Sequence, residues 1–279
     1  MSRLILHIGL EKTGTTSFQA FCADHRERLA ALGVCYPRNP ACFLSINHAP
    51  LAASYFTAAE AAALLIAGRR ADRAEAVAAL KLEMAGAPLA LLSAEHFSSR
   101  FDPGRIAALA ADVAEFDVAI AVVVRSPLAR AVSAYATTVA SGRDIALEAF
   151  VDELCEPGNP YLRCRATIEA WSGVFGRERM VVLAHREGGD IVAELAAKLL
   201  PAALGEAGGY RRNASPSAEA IERTRRGNRG LWPALRARLS RRPRDSQKLR
   251  LSADQVRRIE TQVAGDLEWL AGAYGVDLA

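Results

Sequence analysis

The chain has 279 residues, 51% of them hydrophobic and 24% charged, with a formal net charge of +4, which is ordinary for a soluble, folded protein. No segment reaches the ~18 uninterrupted apolar residues that a membrane-spanning helix needs, and because the first strand starts at residue 4 we expect no signal peptide. The five cysteines show no C-x-x-C spacing, so we expect reduced thiols in a cytoplasmic protein and no metal site.

The chain opens with a strand, a turn and a helix. Residues 4–8 form an apolar run of strand length, residues 9–16 (GLEKTGTT) form a glycine-bearing turn, and apolar residues then recur at helical spacing. Such a turn leaves backbone N–H groups at a helix N-terminus, where the dipole favours an anion. Thr15 and Thr16 can cap the helix or donate hydroxyls, and Lys12 adds a charge. The sequence predicts a phosphate-binding loop; a capped turn with an incidental lysine is the alternative.

The position of the lysine distinguishes this loop from that of nucleoside-triphosphate-binding proteins, whose pattern is G-x-x-x-x-G-K-[ST]. Gly9 and Gly14 have the separation of the two glycines in that pattern. Thr15 occupies the lysine position, however, and Lys12 lies two residues before Gly14. The chain has only four lysines against 31 arginines, so composition alone favours arginine at this position. A compact ammonium suits a site where one charge approaches a single oxygen.

Two more strands and three helices are predicted before the middle of the chain. Their bounds are strand 34–36, helices 58–68 and 72–84, strand 88–92 and helix 103–115. An irregular stretch at 38–57 contains His48. Glu95 and His96 follow the end of the strand at 88–92, which is where ligands bind in open α/β sheets.

The most strand-like run of the chain is 117–124 (DVAIAVVV), which predicts a central strand buried on both faces. Arg125 ends this run, and a helix follows in which Ser133 lies about two turns from the start. An arginine at the end of a buried strand needs an anion or a carboxylate. Arg125 is therefore either an anion ligand or half of a structural ion pair.

The alternation of strands and helices continues to residue 200. The predicted bounds are helices 145–154 and 161–175, strand 180–184 and helix 190–200. This alternation predicts an α/β fold with a single doubly wound, mainly parallel sheet flanked by helices. Ser252 and Gln255 form a predicted capping box for the last helix. Because no repeat or low-complexity linker divides the chain, we predict one domain over 1–279.

The last third of the chain is basic. A glycine-rich loop at 205–216 contains Arg211 and Arg212, and residues 211–258 contain fifteen basic residues against four acidic ones, an excess of 11 positive charges. Such a segment can face a polyanionic cofactor, an acidic substrate or a membrane surface. Solvated helix faces in an arginine-rich chain are the simpler alternative.

The loop at Lys12 and the strand end at Arg125 together resemble the two cofactor motifs of sulfotransferases that use 3′-phosphoadenosine 5′-phosphosulfate (PAPS). In that family the 5′-phosphosulfate loop reads K-x-G-T-T or K-[ST]-G-[ST]-[ST]. The 3′-phosphate motif places an arginine at a strand end and a serine eight residues later. The resemblance implies a P-loop-like architecture of the bacterial type and in-line transfer of a sulfuryl group from PAPS to an acceptor hydroxyl or amine.

The resemblance also implies roles for individual residues. Lys12 would contact the bridging oxygen as negative charge builds on it, and no metal would be needed. The implied cofactor-binding residues are Lys12, Thr13, Gly14, Thr15, Thr16, Arg125, Ser133, Arg211 and Arg212.

The acceptor must lose a proton, so a general base is expected near the sulfur. The candidates are Glu95, His48 and His96, with Glu95 the first choice. Since Glu95 and His96 are adjacent, we expect at most one of them to face the site. Some sulfotransferases have a catalytic histidine near the corresponding strand end.

Two other functional classes remain open at this point. A kinase with the same strand, loop and helix would need ATP and Mg²⁺, and the position of Lys12 argues against it. A non-catalytic module that binds anions or glycans would not need two cofactor motifs far apart in the sequence. The expected acceptor is a small molecule, glycan or lipid. We expect no nucleic-acid partner, and contact with an anionic surface and the oligomeric state stay open.

Overall fold

We describe the fold from a computed structural model, which describes residues 1–63, 71–205, 207–210, 216–228 and 247–278. The described residues fall into two compact units. The first comprises those of Met1–Val124 and Arg165–Arg212, and the second those of Arg125–Cys164 and Asn213–Ala279. One domain over 1–279 stays a prediction.

A five-stranded sheet forms the centre of the fold. Its strands are β1 (Arg3–His7), β2 (Val34–Cys35), β3 (Leu89–Ser93), β4 (Asp117–Arg125) and β5 (Met180–His185). The spatial order is β2-β3-β1-β4-β5, and β1 pairs in parallel with both β3 and β4. The predicted α/β fold with a doubly wound, mainly parallel sheet is confirmed. After β1 the chain first forms β2 and β3 on one side of β1, and then forms β4 and β5 on the other side. The loop after β1 therefore lies at the switch point, where ligands bind in such sheets.

The described chain contains thirteen α-helices in addition to the strands. In chain order they are α1 (Thr15–Asp24), α2 (Arg26–Ala31), α3 (Ala49–Ala53), α4 (Ala58–Ala63), α5 (Arg73–Met84), α6 (His96–Arg100), α7 (Pro103–Asp112), α8 (Pro127–Ala140), α9 (Leu147–Cys155), α10 (Arg165–Phe175), α11 (Ile191–Leu199), α12 (Ala218–Asn228) and α13 (Ala253–Tyr274). No helix among the described residues is both long enough and apolar enough to cross a bilayer.

Most predicted elements are present, with three differences. The helix predicted after the loop is two helices, α1 and α2, because the chain leaves helical geometry at His25 (φ −105°, ψ 21°). The ring Nδ1 of His25 lies 2.9 Å from the Phe21 carbonyl oxygen, which the His25 backbone N–H also contacts. The short helices α3 and α6 occupy stretches for which no helix is predicted, and α12 is a third such helix. The predicted helix at 58–68 is described only to residue 63.

Each unit has its own buried core. In the first, β4 is buried from Val118 to Val124, as predicted for a central strand, and Trp171 is fully buried against Phe101 and Phe175. In the second, α8, α9, α12 and α13 contribute to one apolar cluster that includes Tyr135. The capping box predicted for the last helix is present at the start of α13.

Candidate functional site

The loop between β1 and α1 has an unusual backbone. Gly9, Lys12 and Gly14 all have positive φ, at 27°, 66° and 89°. For the two glycines this costs little, but a left-handed backbone at a residue with a Cβ atom costs roughly 1–2 kcal/mol. Strained backbone of this kind concentrates at functional sites. Turn formation alone therefore does not explain why a lysine occupies this left-handed position.

The two glycines lie where the backbone approaches its neighbours closely. A Cβ atom at Gly14 would be 2.8 Å from Cγ2 of Ile191, the first residue of α11. A Cβ atom at Gly9 would overlap the Thr15 side chain. The loop is therefore packed against the first residues of two helices. Substitutions at either glycine would displace it.

The threonine hydroxyls of the loop are used inside the protein. Thr13 is fully buried, and its hydroxyl donates to the Leu10 carbonyl oxygen at 2.6 Å. Thr15 is also buried, and its hydroxyl donates to Oε1 of Glu95. The N-cap of α1 is Gly14, with no side-chain cap, so neither Thr15 nor Thr16 caps the helix. With these hydroxyls engaged, the candidate anion donors of the loop are the backbone N–H groups of Thr15 and Thr16 at the start of α1, since the Ser17 N–H already donates to the Gly14 carbonyl oxygen.

Glu95 lies at the carboxyl end of β3, immediately before α6, and its carboxylate faces the loop. Burial raises the pKa of Glu95, and the nearby Glu11 carboxylate raises it further, whereas the Thr15 hydrogen bond and the Lys12 ammonium lower it. The net effect is a carboxyl whose pKa lies above its usual value. Among the three candidate bases, Glu95 is the one with a hydrogen bond to the loop.

His96, the first residue of α6, is half-buried. Its Nδ1 is buried without a hydrogen-bond partner among the described residues, and burial lowers its pKa. Ser98 lies two residues after His96 in α6, and its Oγ donates to the Gly9 carbonyl oxygen at 2.6 Å. Residue spacing does not single out Ser98, because its contact partner lies 89 residues away in the chain.

His48 occupies a different environment. It is fully buried, the Ser93 backbone N–H donates to its Nδ1 at 3.0 Å, and its Nε2 is 3.1 Å from the Pro37 carbonyl oxygen. These contacts define a neutral Nε2–H tautomer. Burial lowers the pKa of His48 to about 3, which agrees with a neutral ring. Both ring nitrogens are occupied by backbone groups, so we leave His48 out of the proposed site.

The second predicted motif lies in the second unit. Arg125 is the last residue of β4, and Ser133 lies within α8, both half-buried. Arg130, between them, is buried, and its guanidinium donates to the Tyr161 and Leu162 carbonyl oxygens. Arg130 is therefore a structural residue of this unit.

Arg211 and Arg212, the remaining predicted cofactor ligands, lie outside the described residues. The described chain just before them belongs to the first unit and contacts other residues of that unit. The Tyr210 hydroxyl donates to the Asp24 carboxylate, and the Gly209 N–H donates to Asp190 Oδ2 at 2.6 Å. Among the described residues, no group of three or more His, Cys, Asp or Glu side chains could hold a metal ion.

Comparisons with known proteins bear on the fold. No protein-family model matches the chain, and no curated protein matches it significantly. Among solved structures, the chain is similar to the crystal structure of a sulfotransferase from Alicyclobacillus acidocaldarius, with a TM-score of 0.57 and 17% sequence identity. The likeness covers 100% of this chain and 98% of that one. At this identity the likeness establishes a shared fold.

Proposed function

We propose that the protein is a sulfotransferase that uses PAPS and transfers its sulfuryl group in line to an acceptor hydroxyl or amine. The observation that carries the proposal is Lys12, whose left-handed backbone lies in the turn that joins β1 to the N-terminus of α1. The strain is expected if the ammonium is needed at that point of the loop. The fold shared with a sulfotransferase is consistent with this function.

The residues of the loop fit the phosphosulfate end of PAPS. The N-terminus of α1 favours an anion through its dipole and its first N–H groups. Close packing of Gly9 against Thr15 and of Gly14 against Ile191 fixes the backbone of the loop before a ligand binds. PAPS, when bound, supplies the sulfuryl group and an adenosine bisphosphate leaving group.

Lys12 is the proposed electrostatic catalyst. Its ammonium stabilises the bridging oxygen as negative charge develops there, and the N–H groups of Gly14, Thr15 and Thr16 hold the 5′-phosphate. Donors fixed before the reaction need no reorganisation during it, which makes such stabilisation effective. Thr13 contributes by fixing the loop through its bond to the Leu10 carbonyl oxygen.

Glu95 is the proposed general base. The Thr15 hydroxyl holds one carboxylate oxygen, which orients the group and leaves the other oxygen for the acceptor proton. A pKa above the usual carboxyl value is an advantage, because a base is most effective when its pKa approaches the working pH. His96 is the second candidate. The acceptor itself is proposed only as a class: a small molecule, glycan or lipid.

Arg125 and Ser133 are the proposed ligands of the 3′-phosphate, together with Arg211 and Arg212. The test is to replace Arg125 with alanine and to titrate two nucleotides by calorimetry: 3′,5′-adenosine diphosphate, and adenosine 5′-phosphosulfate, which lacks the 3′-phosphate. Arg125→Ala should weaken the first by about 10-fold or more, since a charge-assisted hydrogen bond is worth about 1.5–3 kcal/mol. The second should bind almost as before.

Arg143→Ala is the matched control. Arg143 is an exposed arginine of the same unit that pairs with Glu153, and its loss should change neither titration. Equal losses of both nucleotides in Arg125→Ala would contradict the proposed contact and would make Arg125 structural.

A further inference from the structure

A small hydrogen-bonded group of buried side chains lies beneath the loop. His7, the last residue of β1, is fully buried, and its Nδ1 is 2.8 Å from the Oγ of Ser93 at the end of β3. The side-chain amide of Gln19 on α1 donates to the same Oγ at 3.1 Å. The Phe18 ring packs against the imidazole in a T-shaped arrangement, with the ring centroids 5.3 Å apart. These contacts join the two central strands to the first helix directly under the loop.

The donors and acceptors around His7 can all be matched in only one tautomer of its ring, apart from the Nε2–H group. Because Gln19 already donates to Ser93, the Ser93 hydroxyl proton is best used by donation to Nδ1 of His7, which leaves the ring proton on Nε2. The other tautomer would leave the Ser93 proton without an acceptor and Nε2 without a donor. Burial lowers the pKa of His7 to about 4, so the ring is neutral at pH 7.

The Nε2 atom of His7 is buried and has no hydrogen-bond partner among the described residues. A Cβ atom added at Gly9 would lie 3.4 Å from it. The N–H group is therefore held under the first glycine of the loop. A buried N–H without an acceptor is costly, so its retention indicates a partner that arrives with a ligand.

We propose that His7 is a further anion-binding residue of this loop, which donates its Nε2–H to an oxygen of the phosphosulfate end of the nucleotide. The proposal rests on the proposed function, because it names another residue of the same site. Ser93 and Gln19 act as positioning residues that fix the tautomer. Unlike Lys12, His7 contributes a neutral donor, so it adds no charge.

Nitrogen NMR of the full chain with ¹⁵N-labelled histidine tests the proposal. The His7 signals, assigned by their loss in His7→Gln, should show a protonated Nε2 and an unprotonated Nδ1. Addition of 3′,5′-adenosine diphosphate should move the Nε2–H proton resonance of His7 downfield. The Nε2–H of His48, which contacts the Pro37 carbonyl oxygen, is an internal reference that should stay in place.

Three variants complete the test. His7→Met removes the donor and should weaken nucleotide binding about 10-fold, the effect of losing one hydrogen bond to a charged group. His7→Gln keeps an N–H near the position of Nε2 and should recover most of that loss. Ser93→Ala removes the group that fixes the tautomer and should give a mixture of both tautomers in the spectrum.

The outcomes separate this proposal from the proposed function. If the nucleotide binds but the His7 resonance does not move, or if His7 carries its proton on Nδ1, the role of His7 is wrong and the sulfotransferase proposal stands. Equal losses in His7→Met and His7→Gln would also contradict it. If the nucleotide does not bind to the unaltered protein at all, both proposals fail.

Discussion

Substitutions of the single residue Lys12 should change the stability of the fold and the turnover rate in opposite directions. Its side chain strains the backbone at φ 66°, so Lys12→Gly should stabilise the fold by about 1 kcal/mol while removing the ammonium. Turnover should fall by ~10²-fold or more, comparable to the loss of one oxyanion donor. Lys12→Arg keeps the charge but changes its geometry, so it should bind nucleotide and turn over poorly. Denaturant titration and steady-state kinetics measure the two effects.

Ser45 provides the matched control for Lys12. It is the other residue with a Cβ atom and a positive φ, 58°, among the described residues. Ser45→Gly should give a similar gain in stability with no change in turnover. A fully active Lys12→Arg would show that the mechanistic role given to Lys12 is wrong, even if the cofactor is right.

Glu95 should control the acid limb of the pH–rate profile. A general base acts as the carboxylate, so kcat/KM should rise with pH through the pKa of Glu95, which burial and Glu11 hold above the ordinary value of about 4.3. Glu95→Gln should remove this limb and leave nucleotide binding intact. Glu11→Gln removes a negative charge beside Glu95, so it should move the limb to lower pH. If the limb survives in Glu95→Gln, the base is another group, and His96 is the next to test.

Among the contacts between secondary-structure elements, the packing of the loop and α1 against α11 is the one that we expect to position the loop. Gly14→Ala adds a Cβ atom 2.8 Å from Ile191 Cγ2, at a residue with φ 89°. Gly86 has a similar φ of 79°, and a Cβ atom there would meet nothing within 4 Å. Gly86→Ala should therefore show only the roughly 1–2 kcal/mol cost of the left-handed backbone, whereas Gly14→Ala should cost more. Gly14→Ala should also weaken nucleotide binding.

Thermal melts and calorimetric titrations of the two variants measure this comparison. Equal destabilisation in Gly14→Ala and Gly86→Ala would mean that the packing of Gly14 against α11 is not what positions the loop.

The sequence predicted the long, regular elements well. The strands β1 and β4 are built on apolar runs, and the longer helices show clear periodicity. The helices α3 and α6 have five residues each, too short for a periodic pattern to appear. At the break, the ring Nδ1 of His25 lies 2.9 Å from the Phe21 carbonyl oxygen, a side-chain contact that apolar spacing does not encode.

The parts of the site that could be predicted are those whose residues lie close together in the sequence. The turn at Lys12 lies within one short stretch, and its residue types indicate anion binding. The bond from Thr15 to Glu95 joins residues 80 apart, and the bond from His7 to Ser93 joins residues 86 apart. Those partners follow from the adjacency of β1 and β3 in the sheet, which residue spacing does not specify. For the same reason, the burial of His48 between backbone groups was not evident from its loop position.

At the scale of the molecule, the basic character of the chain is partly neutralised within the second unit. Arg225 pairs with Asp144 and Glu222, and Arg258 pairs with Glu148 and Asp152. For these two arginines the structure favours local ion pairing over contact with a distant polyanion. Most of the remaining arginines of 211–258 lie outside the described residues.

The proposed function requires the chain to bind an adenosine nucleotide with a 3′-phosphate, and calorimetry measures this binding. The unaltered protein is titrated with 3′,5′-adenosine diphosphate in the presence of EDTA, and separately with ATP and Mg²⁺. We expect saturable binding of 3′,5′-adenosine diphosphate and much weaker binding of ATP. Tight, Mg²⁺-dependent binding of ATP with no binding of 3′,5′-adenosine diphosphate would contradict it and would favour a kinase.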